Sequence, residues 1–232
     1  MNKELKKELL NFLLSFVTEH RKKLFNEVIK YRTRYITIVV EDIYQPHNAS
    51  ATLRTSEIYG IQDVHIIEQR NKYSVNPDVA LGASKWINII KQSSTNLCYK
   101  HLKENGYKIY ATIPYSKKAV SLFDLPLNSK IALVFGNELE GLSESALNMA
   151  DGYVKIPMYG FTESFNISVS VAIFLSHLTE RLRRTDIKWQ LSDDEKLEVL
   201  LQWTKNSIKK SELLVKEFLN KNNNYEKKSY KH

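Results

Sequence analysis

Apolar residues recur along the 232-residue chain with two different periods. Leu5, Leu9, Phe12, Leu13, Phe16 and Val17 fall three or four apart with Lys and Glu between them. That spacing predicts an amphipathic N-terminal helix continuing to about Lys30. Residues 35–40, YITIVV, are a β-branched run and predict a buried strand. The run ends at Glu41-Asp42 and is followed by Gln45-Pro46-His47-Asn48, where Asn48 can cap a helix that runs to Tyr59 and stops at Gly60. Similar apolar runs predict strands at 64–67, 86–90, 107–112, 131–135 and 153–156. A polar segment, 68–78, and the stretch 80–85 separate the second from the third. Helical patterns occupy 94–105, 143–149 and 166–184.

Strands that are continuous apolar runs and that alternate with helices predict an α/β fold, a mostly parallel sheet covered by helices on both faces. Ligands of such sheets sit beyond the carboxyl ends of the strands. Polar or Gly-bearing turns fall there, after Val40, Ala111, Phe135 and Ile156. The most shaped is the stretch from Val154 to Ser170, which turns at Pro157 and Gly160 before entering the last long helix. Ser164-Phe165-Asn166 stands at that helix mouth, where free N–H groups suit a polar or anionic ligand. Ser164 and Asn166 can equally be plain caps. Beyond Arg184 the pattern changes. Ser192 to Glu195 reads as a capping box opening a helix to about Thr204, and a second short helix spans 211–219. The tail, 221–232, is rich in Asn and Lys and predicts disorder. The expected division is a helical extension at 1–34, a central domain at 35–184 and a basic helical extension at 185–232.

Charge sharpens this division. Residues 1–34 carry nine Lys or Arg against four Glu, and 205–232 carry eight Lys against three Glu. Each end is net +5, so the stretch between them is net −2 in a chain of net +8. Basic ends around a near-neutral core suit a catalytic domain whose extensions grip a polyanion, or serve solubility alone. No apolar run approaches the ~20 residues that cross a bilayer, so no membrane role is expected. The start reads as a charged helix rather than a leader. The lone Cys98 excludes an intrachain disulfide and, with the start, predicts a cytoplasmic setting. There is no CxxC, HExxH or His/Cys cluster, so no metal is expected.

GxGxxG, GxxxxGK[ST] and GxSxG are all missing. Gly136-Asn-Glu-Leu-Glu-Gly141 follows a strand and by itself reads as a tight turn. It gains meaning beside two other segments. PHNASATLRT at 46–55, FGNELEGLS at 135–143 and IPMYGFTESFNISVSVA at 156–172 follow in that order. Together they closely resemble the three motifs of the SPOUT superfamily of RNA methyltransferases, and most nearly its TrmH family. The resemblance covers about residues 35–184. Asn48 and Arg54 fit the first motif; Gly136, Glu138 and Gly141 fit the second. Ile156-Pro157-Met158 and Ser164-Phe165-Asn166 fit the third, with Glu163 where the family has Gln.

The resemblance implies a deep C-terminal trefoil knot and S-adenosylmethionine as cofactor, held at Thr112, Gly136, Ile156, Pro157, Met158 and Phe165. It implies a homodimer whose active site draws on both subunits. The implied reaction is 2'-O-methylation of a tRNA ribose, with guanosine 18 of the D-loop as target. Methylation of ribosomal RNA, or a non-catalytic knotted RNA-binding protein, are the alternatives. The implied catalytic set is Asn48, Arg54, Glu138, Ser164 and Asn166. Arg54 either helps deprotonate the 2'-hydroxyl or holds a target phosphate, and the other four position it, the ribose and the cofactor loop. His47 could touch RNA, whereas His65, His177, Trp86, Trp189 and Trp203 read as packing residues. Arg181, Arg183 and Arg184 either complement the helix dipole or meet RNA.

Overall fold

The computed structural model describes residues 1–72, 80 and 82–229, with side chains through residue 222. The expected features at 73–79, at 81 and at 230–232 lie outside the described residues. The chain divides into two compact units, one of Met1–Arg32 with Leu191–His232 and the other of Thr33–Gln190.

The larger unit is an α/β sandwich. Its strands are β1 (Ile36–Glu41), β2 (Asp63–Ile67), β3 (Asn88–Gln92), β4 (Tyr107–Thr112), β5 (Val120–Ser121), β6 (Lys130–Phe135) and β7 (Gly152–Lys155). They form one seven-stranded sheet in the order β3-β2-β1-β6-β4-β7-β5, and every pairing is parallel. Its helices are α3 (Pro46–Ile58), α4 (Thr95–Glu104), α5 (Glu144–Met149) and α6 (Ile167–Arg183). β1 is buried along its whole length. Successive strand residues point to opposite faces, and each face has its own apolar core. Ile36, Ile38, Val40, Val64, Ile66 and Leu133 pack with Leu53 of α3 and Phe174 and Leu178 of α6. Val39, Ile67, Ile109 and Val134 pack with Tyr99 and Leu102 of α4 and Ala146 of α5. The expected two-faced parallel sheet is therefore present.

The smaller unit is helical, with α1 (Lys3–Leu14), α2 (Glu19–Val28), α7 (Asp193–Ser207) and α8 (Ser211–Ser229). Leu9, Leu10, Leu13 and Leu201 form its core. Arg32 is fully buried with its guanidinium 5.4 Å from the Trp203 ring centroid. α7 opens with the expected capping box, Ser192 and Glu195 each bonding the other's backbone N–H.

Several expectations need correction. The N-terminal helix is two helices. Ser15 Oγ donates to the Phe12 carbonyl at 2.7 Å, and the Thr18 hydroxyl accepts from Arg21 N at 3.3 Å to start α2. α3 starts at Pro46 with Gln45 in the cap position, so Asn48 lies within the helix and caps nothing. Proline favours the first helical turn because it has no N–H to leave unpaired. β3 begins at Asn88, since Trp86 closes a 3₁₀ turn by donating to the Ala83 carbonyl at 3.0 Å. β5 was not expected. α8 continues to Ser229, through most of the tail expected to be disordered.

Candidate active site

The cavity of interest opens at the carboxyl edge of the sheet, beyond β4, β6 and β7, and holds about 590 Å³. That volume falls within the range of small-molecule sites. Three chain segments supply most of its walls: Thr112 to Pro114 after β4, Phe135 to Leu142 after β6, and Val154 to Ile156 with Met158 and Ser164 to Ile167 after β7; Leu147, Ser170 and Phe174 complete them.

The second segment is a tight cradle. Asn137 and Gly141 exchange backbone hydrogen bonds of 3.0 and 3.1 Å across the turn, and Gly141 takes φ +73°. The Asn137 side chain fills the turn by accepting from Leu139 N and Glu140 N at 2.7 and 2.9 Å. A Cβ on Gly136 would lie 2.1 Å from the Gly141 carbonyl carbon, so only glycine permits this approach. The turn reading of Gly136 to Gly141 and the ligand-loop reading therefore describe the same residues.

Side chains tie the three motifs together. Asn48 Nδ2 donates to Glu138 Oε1 at 2.7 Å and to Gln45 Oε1 at 3.2 Å. Asn166 Nδ2 donates to Asn48 Oδ1 at 3.2 Å. Glu138 Oε2 accepts from Tyr44 N at 3.2 Å, and Asn166 Oδ1 caps α6 by accepting from Ser168 N at 2.9 Å. Asn166 is thus a cap and a link at once. Asn48 is 3% exposed and does not line the cavity; it stands behind the wall and fixes Glu138 and Asn166, which do. Tyr44 and Gln45 enter this network without any signal that sequence alone could offer.

Of the other expected residues, Thr112, Gly136, Ile156, Met158, Ser164 and Phe165 line the cavity. The Thr112 hydroxyl is engaged with the Val134 carbonyl at 2.9 Å. Pro157 is not among the lining residues, and neither is Arg54. Arg54 is exposed on α3. Arg181 donates to the carbonyls of Leu122 and Leu125 at 3.2 and 3.0 Å, and Arg183 to that of Tyr59 at 2.9 Å. These two arginines are thereby committed within the fold. Burial pushes the Cys98 thiol up to about 12, so it is no nucleophile. Burial holds the His65 imidazole down at about 4, which matches a packing residue. No His/Cys/Asp/Glu group that could hold a metal occurs among the described residues, and no helix there is long and apolar enough to cross a membrane.

An adenosyl ligand with a sulfonium suits this cavity. Phe135, Leu142 and Phe174 give it apolar surface, the Gly136–Gly141 cradle exposes backbone, and the charged lining is Glu138 and Glu140 against Lys155. Glu140 pairs with Arg70, so Glu138 is the lining carboxylate that can face a cation.

Residues 35–176 match the model of the SpoU rRNA Methylase family. The tRNA (guanosine(18)-2'-O)-methyltransferase of Borreliella burgdorferi is 46% identical over 200 residues, covering 86% of this chain and 91% of that one. The crystal structure of the Aquifex aeolicus TrmH/SpoU tRNA modifying enzyme superposes with a TM-score of 0.74 at 29% identity, covering 83% of this chain and 98% of that one. The SpoU methyltransferase AviRb of Streptomyces viridochromogenes, solved in complex with the cofactor AdoMet, shares the fold at 16% identity with a TM-score of 0.55, covering 68% and 62%. A family match across most of the sheet, joined to these likenesses, means that the chain belongs to the SpoU rRNA methylase family.

Proposed function

We propose that the chain is an S-adenosylmethionine-dependent tRNA ribose 2'-O-methyltransferase acting on guanosine 18 of the D-loop. The observation that carries this reading is the joining of all three motifs at one cavity through the Glu138–Asn48–Asn166 links. The name of the B. burgdorferi relative supports the choice of tRNA and of guanosine 18.

Bound S-adenosylmethionine supplies an electrophilic sulfonium methyl. The protein's task is to hold a ribose hydroxyl in line with it, an arrangement on the order of 7–11 kcal/mol at best. The ribose oxygen would form its bond to the methyl carbon as the carbon–sulfur bond breaks, leaving a neutral thioether, and the hydroxyl proton would pass to water. Thr112, Gly136, Ile156, Met158 and Phe165 hold the cofactor in this reading, chiefly through backbone, and Pro157 shapes the loop between two of them. Asn48, Glu138 and Asn166 keep the cradle and the mouth of α6 in register, and Ser164 faces the ligand. A guanidinium stays protonated in a protein, so Arg54 is assigned the role of a bidentate clamp on a target phosphate.

Arg54 lies outside the cavity of its own chain. A homodimer in which one subunit's Arg54 completes the other's site is the arrangement that gives it contact with substrate. We assign the catalytic domain to 35–184, with a knotted C-terminal segment, and RNA binding to the basic extensions 1–34 and 185–232. Phosphate contacts from these ends would make affinity salt-sensitive.

The test is transfer of labelled methyl from the cofactor to total tRNA and total rRNA, followed by nucleoside mapping. 2'-O-methylguanosine in tRNA is expected. Label confined to rRNA would overturn the substrate, and no label in either would overturn the enzyme.

A further inference from the structure

We infer that Glu41 and Asp42, the acids that end β1, are positioning residues that pin the Gly136–Gly141 cradle in its cofactor-binding shape; this rests on reading the cavity as the S-adenosylmethionine site. Neither acid lines the cavity. Glu41 is 2% exposed and Asp42 7% exposed. A buried carboxylate is costly unless hydrogen-bonded, and the partners here come from loops and from the start of α4 at the sheet's carboxyl edge.

Glu41 grips the far end of the cradle. Its Oε2 accepts from Ser143 N at 2.8 Å, and its Oε1 accepts from Ser143 Oγ at 2.8 Å. Oε1 also accepts from Thr95 Oγ1 at 2.6 Å and Gln69 Nε2 at 3.4 Å. The near end is fixed independently, because Val40 pairs with Phe135 in the sheet. Ser143 in turn caps α5 by accepting from Ala146 N at 3.1 Å. The cradle is therefore strung between a strand pairing and a carboxylate clamp on the neighbouring strand. Asp42 adds a second hold. It sits in the left-handed region at φ 49° and accepts at Oδ1 from Gln69 N and Arg70 N, each at 2.8 Å. Arg70, so placed, pairs with Glu140 in the middle of the cradle.

The test compares Glu41→Gln and Ser143→Ala with Tyr107→Phe, which removes a 2.6 Å bond to the Arg34 carbonyl at the opposite edge of the sheet. Calorimetric titration with S-adenosylmethionine is expected to give about tenfold weaker binding for each of the first two, the effect of losing one charge-assisted bond. Their double variant should lose little more than either alone, and Tyr107→Phe should bind like the parent. Hydrogen exchange without cofactor should quicken at the amides of 137–143 in Glu41→Gln, and elsewhere on that edge only beside Gln69 and Thr95, which share the carboxylate. Parent-like affinity and exchange in a folded Glu41→Gln would overturn the inference, as would losses that merely follow melting temperature and are shared by Tyr107→Phe. If Glu41→Gln does not fold, Ser143→Ala decides alone by the same criteria. A parent protein that binds no S-adenosylmethionine would sink the cofactor reading instead, and the exchange result would still decide the clamp.

Discussion

Asn48 spends its whole amide on the site: both neighbouring motifs and Gln45 meet it within 3.2 Å. Asn48→Asp would set a carboxylate against Glu138, and like charges this close in a low-dielectric setting repel strongly. That variant should melt well below the parent at neutral pH and recover part of the loss as the pH falls, which a pH series of thermal melts would reveal. Arg54→Ala has the opposite profile. It should cut turnover by roughly 100-fold through lost orientation while leaving melting temperature and cofactor affinity near the parent values; parent-like turnover would remove Arg54 from the site. His65 supplies a pH test. Its pKa is about 4 in the fold against 6.5 unfolded, mainly because burial disfavours the charged ring. The unfolded chain therefore takes up the proton first as pH falls. Stability from this residue is complete above about 6.5 and declines toward 4, a loss on the order of 3 kcal/mol. His65→Gln should flatten that part of the stability curve, measured by denaturant titration. At this scale the sequence was only half legible. Motif spacing picked out Asn48, Glu138 and Asn166, but a separation of six positions along a helix between Asn48 and Arg54 says nothing of which partners each reaches. A capping role for Asn48 was the natural reading until Pro46 proved to start the helix.

Elements were more legible than their ends. Continuous apolar runs such as residues 35–40 and 131–135 read as buried strands, and both faces of the sheet filled as that pattern required. β5, two residues long, has too little pattern to see. The break between α1 and α2 was hidden because apolar spacing continues across it, while the stop lies in two hydroxyls, those of Ser15 and Thr18. Cap chemistry was readable at Ser192, and Ser192→Ala should destabilise the helical unit by about 1 kcal/mol in a calorimetric melt. Gly136→Ala tests the cradle as an element. Its new methyl meets backbone rather than a flexible side chain. The turn must open, at a cost of about 1–3 kcal/mol, and S-adenosylmethionine binding should fall with it.

At the scale of the whole molecule, the charge layout places +5 at each end of the chain. If the ends hold RNA, tRNA affinity should drop steeply with added salt, and removing residues 205–232 should reduce that slope without abolishing cofactor binding. If two subunits share each site, mixing inactive Arg54→Ala with inactive Gly136→Ala protein should restore activity, since one site of the mixed dimer keeps both parts. The most direct test of the central claim uses two tRNA transcripts that differ at one atom, with guanosine or 2'-deoxyguanosine at position 18. Methyl transfer from labelled S-adenosylmethionine to the first and none to the second is the expected result. Equal labelling of both, or labelling of neither, would contradict the account.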